Sequence, residues 1–178
     1  MVLVGMAASS AMVWQSTQAA FTSTTANTSS SWTAGSVTLS DDDTGAALFT
    51  AAGLSPGDHG TNCVTVTYTG TLATAVKVYI STYSDASALT PYLDLTIQEG
   101  TGAGFGSCAG FTPTTTIYTG TLAAFIAADT DWTTGAGTWA PIGPAARTYR
   151  IAYTLNAATS ATKQGTTATA TLQWESRA

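Results

Sequence analysis

The sequence predicts an all-β protein, a jelly-roll-like β-sandwich with one short helix and an extended N-terminal segment. Three observations carry this. Apolar and polar residues alternate over about seven or eight short runs, the period of a half-buried strand. Gly, Pro, Asp and Ser separate the runs and supply turn geometry. Thr, whose β-branch suits a pleated surface, is abundant, while only 8% of residues are charged.

Residues 36–40 form the first alternating run. Asp41-Asp42-Asp43-Thr44-Gly45 then reads as a turn that leads into residues 46–50. Ser55-Pro56-Gly57-Asp58 is a second turn, with Pro and Gly where the backbone needs presetting. Residues 61–69 set Cys63, Thr65 and Thr67 against Val64, Val66 and Tyr68. Residues 72–80 continue through Val76, Val78 and Ile80, and residues 92–98 through Leu93, Leu95 and Ile97. Residues 121–128 are good helix formers and make about two turns. Residues 148–155 alternate Tyr149, Ile151, Tyr153 and Leu155, and residues 166–174 close the series with Leu172 and Trp174. The stretches 100–106 and 135–143 are glycine-rich loops. One hexapeptide occurs twice: Tyr68-Thr69-Gly70-Thr71-Leu72-Ala73 and Tyr118-Thr119-Gly120-Thr121-Leu122-Ala123. It is either one strand-then-glycine turn used twice or chance reuse in a Thr- and Gly-rich chain.

A chain of 178 residues suits one domain with appendages. Lys and Arg total 5 against 10 Asp and Glu, a net charge of −5. Phosphate backbones need clustered cations, so nucleic acid is not an expected partner. An anionic membrane surface is disfavoured for the same reason. A solvent face of Thr and Ser also lacks the charges that discourage edge-to-edge strand pairing, which points weakly to assembly.

Residues 1–19 read as an export signal. The first charge in the chain is Asp41. The apolar, small-residue run 1–14 fits a signal h-region and is short for a bilayer span. Thr17-Gln18-Ala19 offers a small-x-small cleavage pattern. The positive n-region is missing, so the true start is expected upstream. A buried N-terminal strand or helix and an uncleaved anchor are the other readings. The two cysteines, Cys63 and Cys108, form no CxxC pair. They are either a disulfide, which fits an exported chain, or two buried thiols.

Three segments in order carry a resemblance. They are Ala20-Phe21-Thr22-Ser23, then Trp32-Thr33-Ala34-Gly35-Ser36-Val37-Thr38-Leu39-Ser40, then Gly53-Leu54-Ser55-Pro56-Gly57-Asp58. Together with Thr69-Gly70-Thr71-Leu72, they resemble the TasA/camelysin family over residues 19–58 and 69–72; beyond residue 80 the β-rich pattern is only compatible. The resemblance implies cleavage by a SipW-type signal peptidase between Ala19 and Ala20. It implies a jelly-roll sandwich that polymerises into biofilm-matrix fibres, with itself and an accessory matrix protein as partners. It implies a donor strand that includes Ala20, Phe21, Thr22, Ser23, Thr24, Thr25, Ala26, Asn27 and Trp32. The expected organisation is a signal at 1–19, an extension at 20–34 and the sandwich at 35–178, secreted to the matrix or cell surface, with the membrane met only during export. The residues themselves allow the mechanism, because 20–32 contains no charge, Pro or Gly and can pair along its length. A floppy linker has the same composition.

Camelysin-type relatives have been classed as metalloproteases, so a surface protease is the first alternative. HExxH needs two histidines, and this chain has only His59, beside Asp58 in a turn. A Ser/His/Asp triad would have to use the same residue. Paired carboxylates for glycoside chemistry would come from Asp94, Glu99, Asp129, Asp131 and Glu175. Trp132 and Trp139 are candidates for sugar stacking in an adhesin, against a plain packing role. Asp41 and Asp43 are weak Ca²⁺ candidates, against a solvated turn. No cofactor and no enzymatic activity are expected.

Overall fold

Strand alternation and turn chemistry build two facing antiparallel sheets and one helix. The computed structural model describes residues 34–178. The expected signal, its cleavage site at Ala19 and Ala20, and the expected donor residues Phe21, Thr22, Ser23, Thr24, Thr25, Ala26, Asn27 and Trp32 lie outside them. In chain order the elements are β1 (Leu39–Asp41), β2 (His59–Tyr68), β3 (Ala75–Ser84), β4 (Leu93–Thr101), β5 (Thr112–Thr121), α1 (Leu122–Ala128), β6 (Ala145–Leu155) and β7 (Thr169–Arg177). The larger sheet has the order β1-β2-β6-β4-β5, and the smaller pairs β3 with β7. Every pairing is antiparallel.

The period of two decides which residues meet. Val64, Val66 and Tyr68 of β2 turn inward beside Tyr149 and Ile151 of β6 and Leu95 and Ile97 of β4. Val76, Val78 and Ile80 of β3 meet them from the smaller sheet, with Phe125 of α1 and Trp139 filling the same core. Burying each such side chain contributes about 1.5–3 kcal/mol, which makes this layer the main source of stability. The helix starts where expected. Thr121 is its N-cap, and its hydroxyl accepts from the Ala124 N–H at 3.2 Å.

Three expectations change. The first strand is Leu39–Asp41, three residues long, because Ser36 and Thr38 give their carbonyls to Thr71 and Thr69 beyond the end of β2. Residues 46–50 form no strand. Phe49 packs edge-on against Tyr153 at 5.0 Å, and the Leu48 carbonyl takes the Asn62 amide at 2.6 Å. β5 is expected only through the hexapeptide repeat, as a strand before Gly120, and no alternating run marks it. Its sequence, TPTTTIYTGT, carries a proline and only two large apolar residues, because one face and one edge are turned away from the core.

The hexapeptide repeat has a shared physical basis. In each copy the Tyr side chain folds over the Gly two residues on and hydrogen-bonds a backbone carbonyl just beyond. Tyr68 donates to Leu72 O at 2.7 Å, and Tyr118 donates to Thr121 O at 2.6 Å. A Cβ at Gly120 would lie 2.7 Å from the Tyr118 hydroxyl, and one at Gly70 would collide with both the Tyr68 hydroxyl and the Ser36 carbonyl. Glycine is therefore needed for close approach at both corners.

Cys63 and Cys108 are joined, with Cα atoms 5.2 Å apart. Cys63 lies on the outer face of β2, and Cys108 in the loop between β4 and β5, which folds back across that face. Polar contacts hold the same loop: Asp42 Oδ2 accepts from Phe105 N at 2.9 Å, and Asn62 Oδ1 from Gly106 N at 3.1 Å.

Two outcomes follow from these contacts. Removing the crosslink, as Cys63→Ala with Cys108→Ala or by reduction, is expected to lower unfolding stability by about 4 kcal/mol, read from urea midpoints. Gly70→Ala is expected to cost about 1–3 kcal/mol and more than Gly120→Ala, while Tyr118→Phe costs about 1 kcal/mol, read from thermal melts of the three variants.

Candidate functional site

An antiparallel edge strand turns every second N–H and C=O away from its sheet, and each needs a partner or water. The described residues contain four such edges, and three are closed in different ways.

The β1 edge is only three residues long, and side chains take over on β2 where it ends. Past the short β1, the N–H groups of β2 on that edge continue to find acceptors. Asp42 Oδ1 takes Thr65 N at 2.7 Å, and Asn62 Oδ1 takes Cys63 N at 2.8 Å. The β5 edge is blunted by Pro113 and by two register shifts against β4, at Ile97/Gln98 and Glu99/Gly100. The outer edge of β3 is covered by the glycine-rich segment 129–141. Thr74, Val76, Val78 and Ile80 donate their N–H groups to the carbonyls of Pro141, Trp139, Ala136 and Asp129 at 2.8–3.0 Å.

β7 differs from these. Among the described residues it pairs on one side only, with β3. Its outward groups belong to Leu172, Trp174 and Ser176, since Gln173, Glu175 and Arg177 lie opposite β3 residues whose N–H groups face it. It contains no Pro and no Gly. Beside it runs a groove of about 200 Å³ between the two sheets, lined by Leu39, Ser40, Asp41 and Val66 on one wall and Leu172, Gln173 and Trp174 on the other. Burial, then the neighbouring Asp43 carboxylate, raises the Asp41 carboxyl above the usual range.

The sequence-derived chemical candidates do not converge. His59 is the exposed first residue of β2, with Nδ1 3.4 Å from Gly57 O, and so sits just past the turn. Asp43 closes its own turn by accepting from Gly45 N at 2.7 Å. Asp94 meets the Asn156 amide at 3.1 Å. Asp131 accepts from the backbone of Thr133 and Thr134, which holds its carboxyl below the usual range. Glu175 binds Tyr79 and Arg177 on the outer face of the small sheet, and these bonds lower its carboxyl. No group of three His, Cys, Asp or Glu side chains among the described residues is placed to hold a metal. Trp139 is only 5% exposed and cannot stack on a sugar. Trp132 is half-buried, with the Arg177 guanidinium over its ring at 5.2 Å and its indole N–H on Ala75 O.

Glu99 is the least exposed of the carboxylates. It points inward from β4 opposite Tyr149, and both oxygens are committed to Thr138: Oε1 accepts from its N–H at 2.8 Å and Oε2 from its hydroxyl at 2.7 Å. Burial, then this carboxylate, pushes the Tyr149 hydroxyl far up. The role of Glu99 was not legible in advance; the only signal was a lone acidic residue at an inward position of an alternating run.

No family model matches the chain. No curated protein matches it either.

Asp129, where the covering segment begins, gives a test of its electrostatics. Burial raises its carboxyl, and Lys77 partly offsets the shift. A raised folded-state value means that the folded protein holds the proton more tightly. The group therefore favours folding below its ordinary value of 3.8, and that contribution is lost as pH rises through the raised value. Asp129→Asn is expected to raise the melting temperature at pH 7, with the gain shrinking as pH falls through the raised value and gone below 3.8.

Proposed function

We propose that this chain is an exported structural subunit that joins copies head to tail by strand complementation, the N-terminal segment of one copy lying along β7 of the next. The observation that carries the reading is the β7 edge. Among the described edges it has no capping side chain, proline or covering segment, and the one register shift in its pairing, between Ile80 and Thr82, puts the extra residue on β3 and leaves β7 regular. It borders a groove of mixed lining in which Leu39, Val66, Leu172 and Trp174 sit beside Ser40, Asp41 and Gln173. Residues 20–32 are complementary in kind, being uncharged and free of Pro and Gly. At about 3.4 Å per residue, thirteen residues span more than the nine of β7. Each backbone hydrogen bond gained contributes about 0.5–1.5 kcal/mol net, so a full ladder supports a stable joint. A contact between the N-terminal segment of one copy and the β7 edge of the next is heterologous, and repeated without closure it yields a filament.

The crossings of the chain between sheets, from β2 to β3, β3 to β4 and β6 to β7, fit a jelly-roll-like arrangement. The disulfide suits an oxidising compartment and supports export. The TasA/camelysin resemblance supports a cell-surface or matrix fibre in particular. In this reading the role is structural: four of the five candidate carboxylates, Asp94, Glu99, Asp131 and Glu175, each serve a local hydrogen bond, and the fifth, Asp129, lies at the start of the segment over β3.

The mature protein is expected to form filaments in negative-stain micrographs, and deletion of residues 20–31 to leave monomers with an unchanged melting temperature. Leu172→Lys, which places a charge in the groove beside the edge, is expected to weaken assembly at least tenfold. Filaments that persist after the deletion would remove this mechanism.

A further inference from the structure

The small sheet presents two edges, and only one of them is open. The segment over the other spans residues 129–141, thirteen residues laid along the seven from Thr74 to Ile80. It is therefore not a strand. Its middle loops out as a turn, closed by Gly135 N on Asp131 O at 2.8 Å. It meets the N–H groups of β3 on its inner side, but its outer side offers no regular ladder. A sheet cannot grow past it.

We propose that this segment is an edge guard that restricts strand addition to β7, and that Glu99 is its latch. The inference rests on the reading of β7 as the acceptor and deepens it, by naming what keeps β3 from accepting as well. Two side-chain contacts and one glycine fix the guard. The Glu99 carboxylate, 1% exposed, reaches Thr138 with both oxygens. Lys77 Nζ donates to Gly137 O at 2.7 Å. Gly137 itself has φ of +140°, and a Cβ there would lie 2.8 Å from Val76 O. The latch works through the cost of opening. Among the described residues no cation lies within ion-pairing distance of Glu99, so lifting Thr138 away would leave a buried carboxylate without its donors. Hydrogen bonds to an ionised acceptor are about twice as strong as neutral ones, which makes a carboxylate suited to this position. Two of the three glycines in 135–143 follow from the same demand. Gly135 and Gly137 must let the segment approach the β3 backbone more closely than a side chain allows.

The test uses the full chain with two substitutions that release the guard differently. Glu99→Met removes the latch while filling its volume, and Gly137→Ala forces the segment outward. Amide hydrogen exchange at Val76 and Val78 is expected to quicken at least tenfold in both, with Gln173 and Glu175 unchanged. Electron micrographs are then expected to show branched or clustered filaments where wild type shows unbranched ones. Fast exchange at Val76 and Val78 with filaments still unbranched overturns the guard. Unchanged exchange in Glu99→Met overturns the latch. A wild type that stays monomeric sinks the fibre reading alone, and sedimentation then decides the guard. Concentration-dependent association gained by the variants supports it, and none overturns it.

Discussion

Backbone hydrogen bonding at the sheet edges is the constraint on which this structure depends. A sandwich with a second sheet of only two strands exposes a large share of its N–H and C=O groups along open sides. The chain meets this demand with whatever lies nearby: a three-residue strand, the side chains of Asp42 and Asn62, a proline with bulges, and a looped segment over β3. Among the described residues β7 is the edge left without such a device, an exception to the rule the other described edges obey.

The few charges serve that same rule. Among the described residues the one ion pair joins Arg177 to Glu175 at the surface, where such pairs contribute little. Most of the acidic side chains described act as acceptors for backbone donors. Asp42 bridges β2 to the disulfide loop, and Asp85 collects Leu89 N, Thr90 N and the Thr90 hydroxyl. Burial opposes its charge, but the donors win and hold the Asp85 carboxyl below the usual range. A carboxylate carries more acceptor sites than an amide or hydroxyl, so a chain with 10 acidic residues can close many backbone gaps. The low charge content therefore reflects placement at particular backbone groups more than general solubility.

The alternating runs were legible because they report burial directly. Val64, Val66 and Tyr68 against Cys63, Thr65 and Thr67 predicted the two faces of β2, and the helix over residues 121–128 needed only its propensity. The reading failed where tertiary context replaced pattern. β5 has little apolar signal because it lies at an edge, and β7 extends to Arg177, past the last apolar residue that marked its end. The hexapeptide repeat was visible, but its cause was not, since no pattern in one dimension shows a hydroxyl reaching over a glycine to a carbonyl. The segment 129–141 was invisible for a related reason. Its acceptors are backbone carbonyls, which every residue carries, so composition records only the glycines that let it come close. Trp139, a candidate ligand contact by its loop setting, turned inward because the same segment buries it.

The crosslink between Cys63 and Cys108 has a mechanical meaning. Force applied to the two ends of the chain bypasses the enclosed segment, whose ends are 45 positions apart in sequence, and runs through the sulfur bridge. At roughly 3.3–3.6 Å per extended residue, about 150 Å of slack can never be paid out while the bond is intact. The second half of β2, all of β3 and β4, and most of the loop between β4 and β5 lie inside that shielded length. Under tension this body can give at β1, β5, β6 and β7, but it cannot lengthen through the centre of its own sequence.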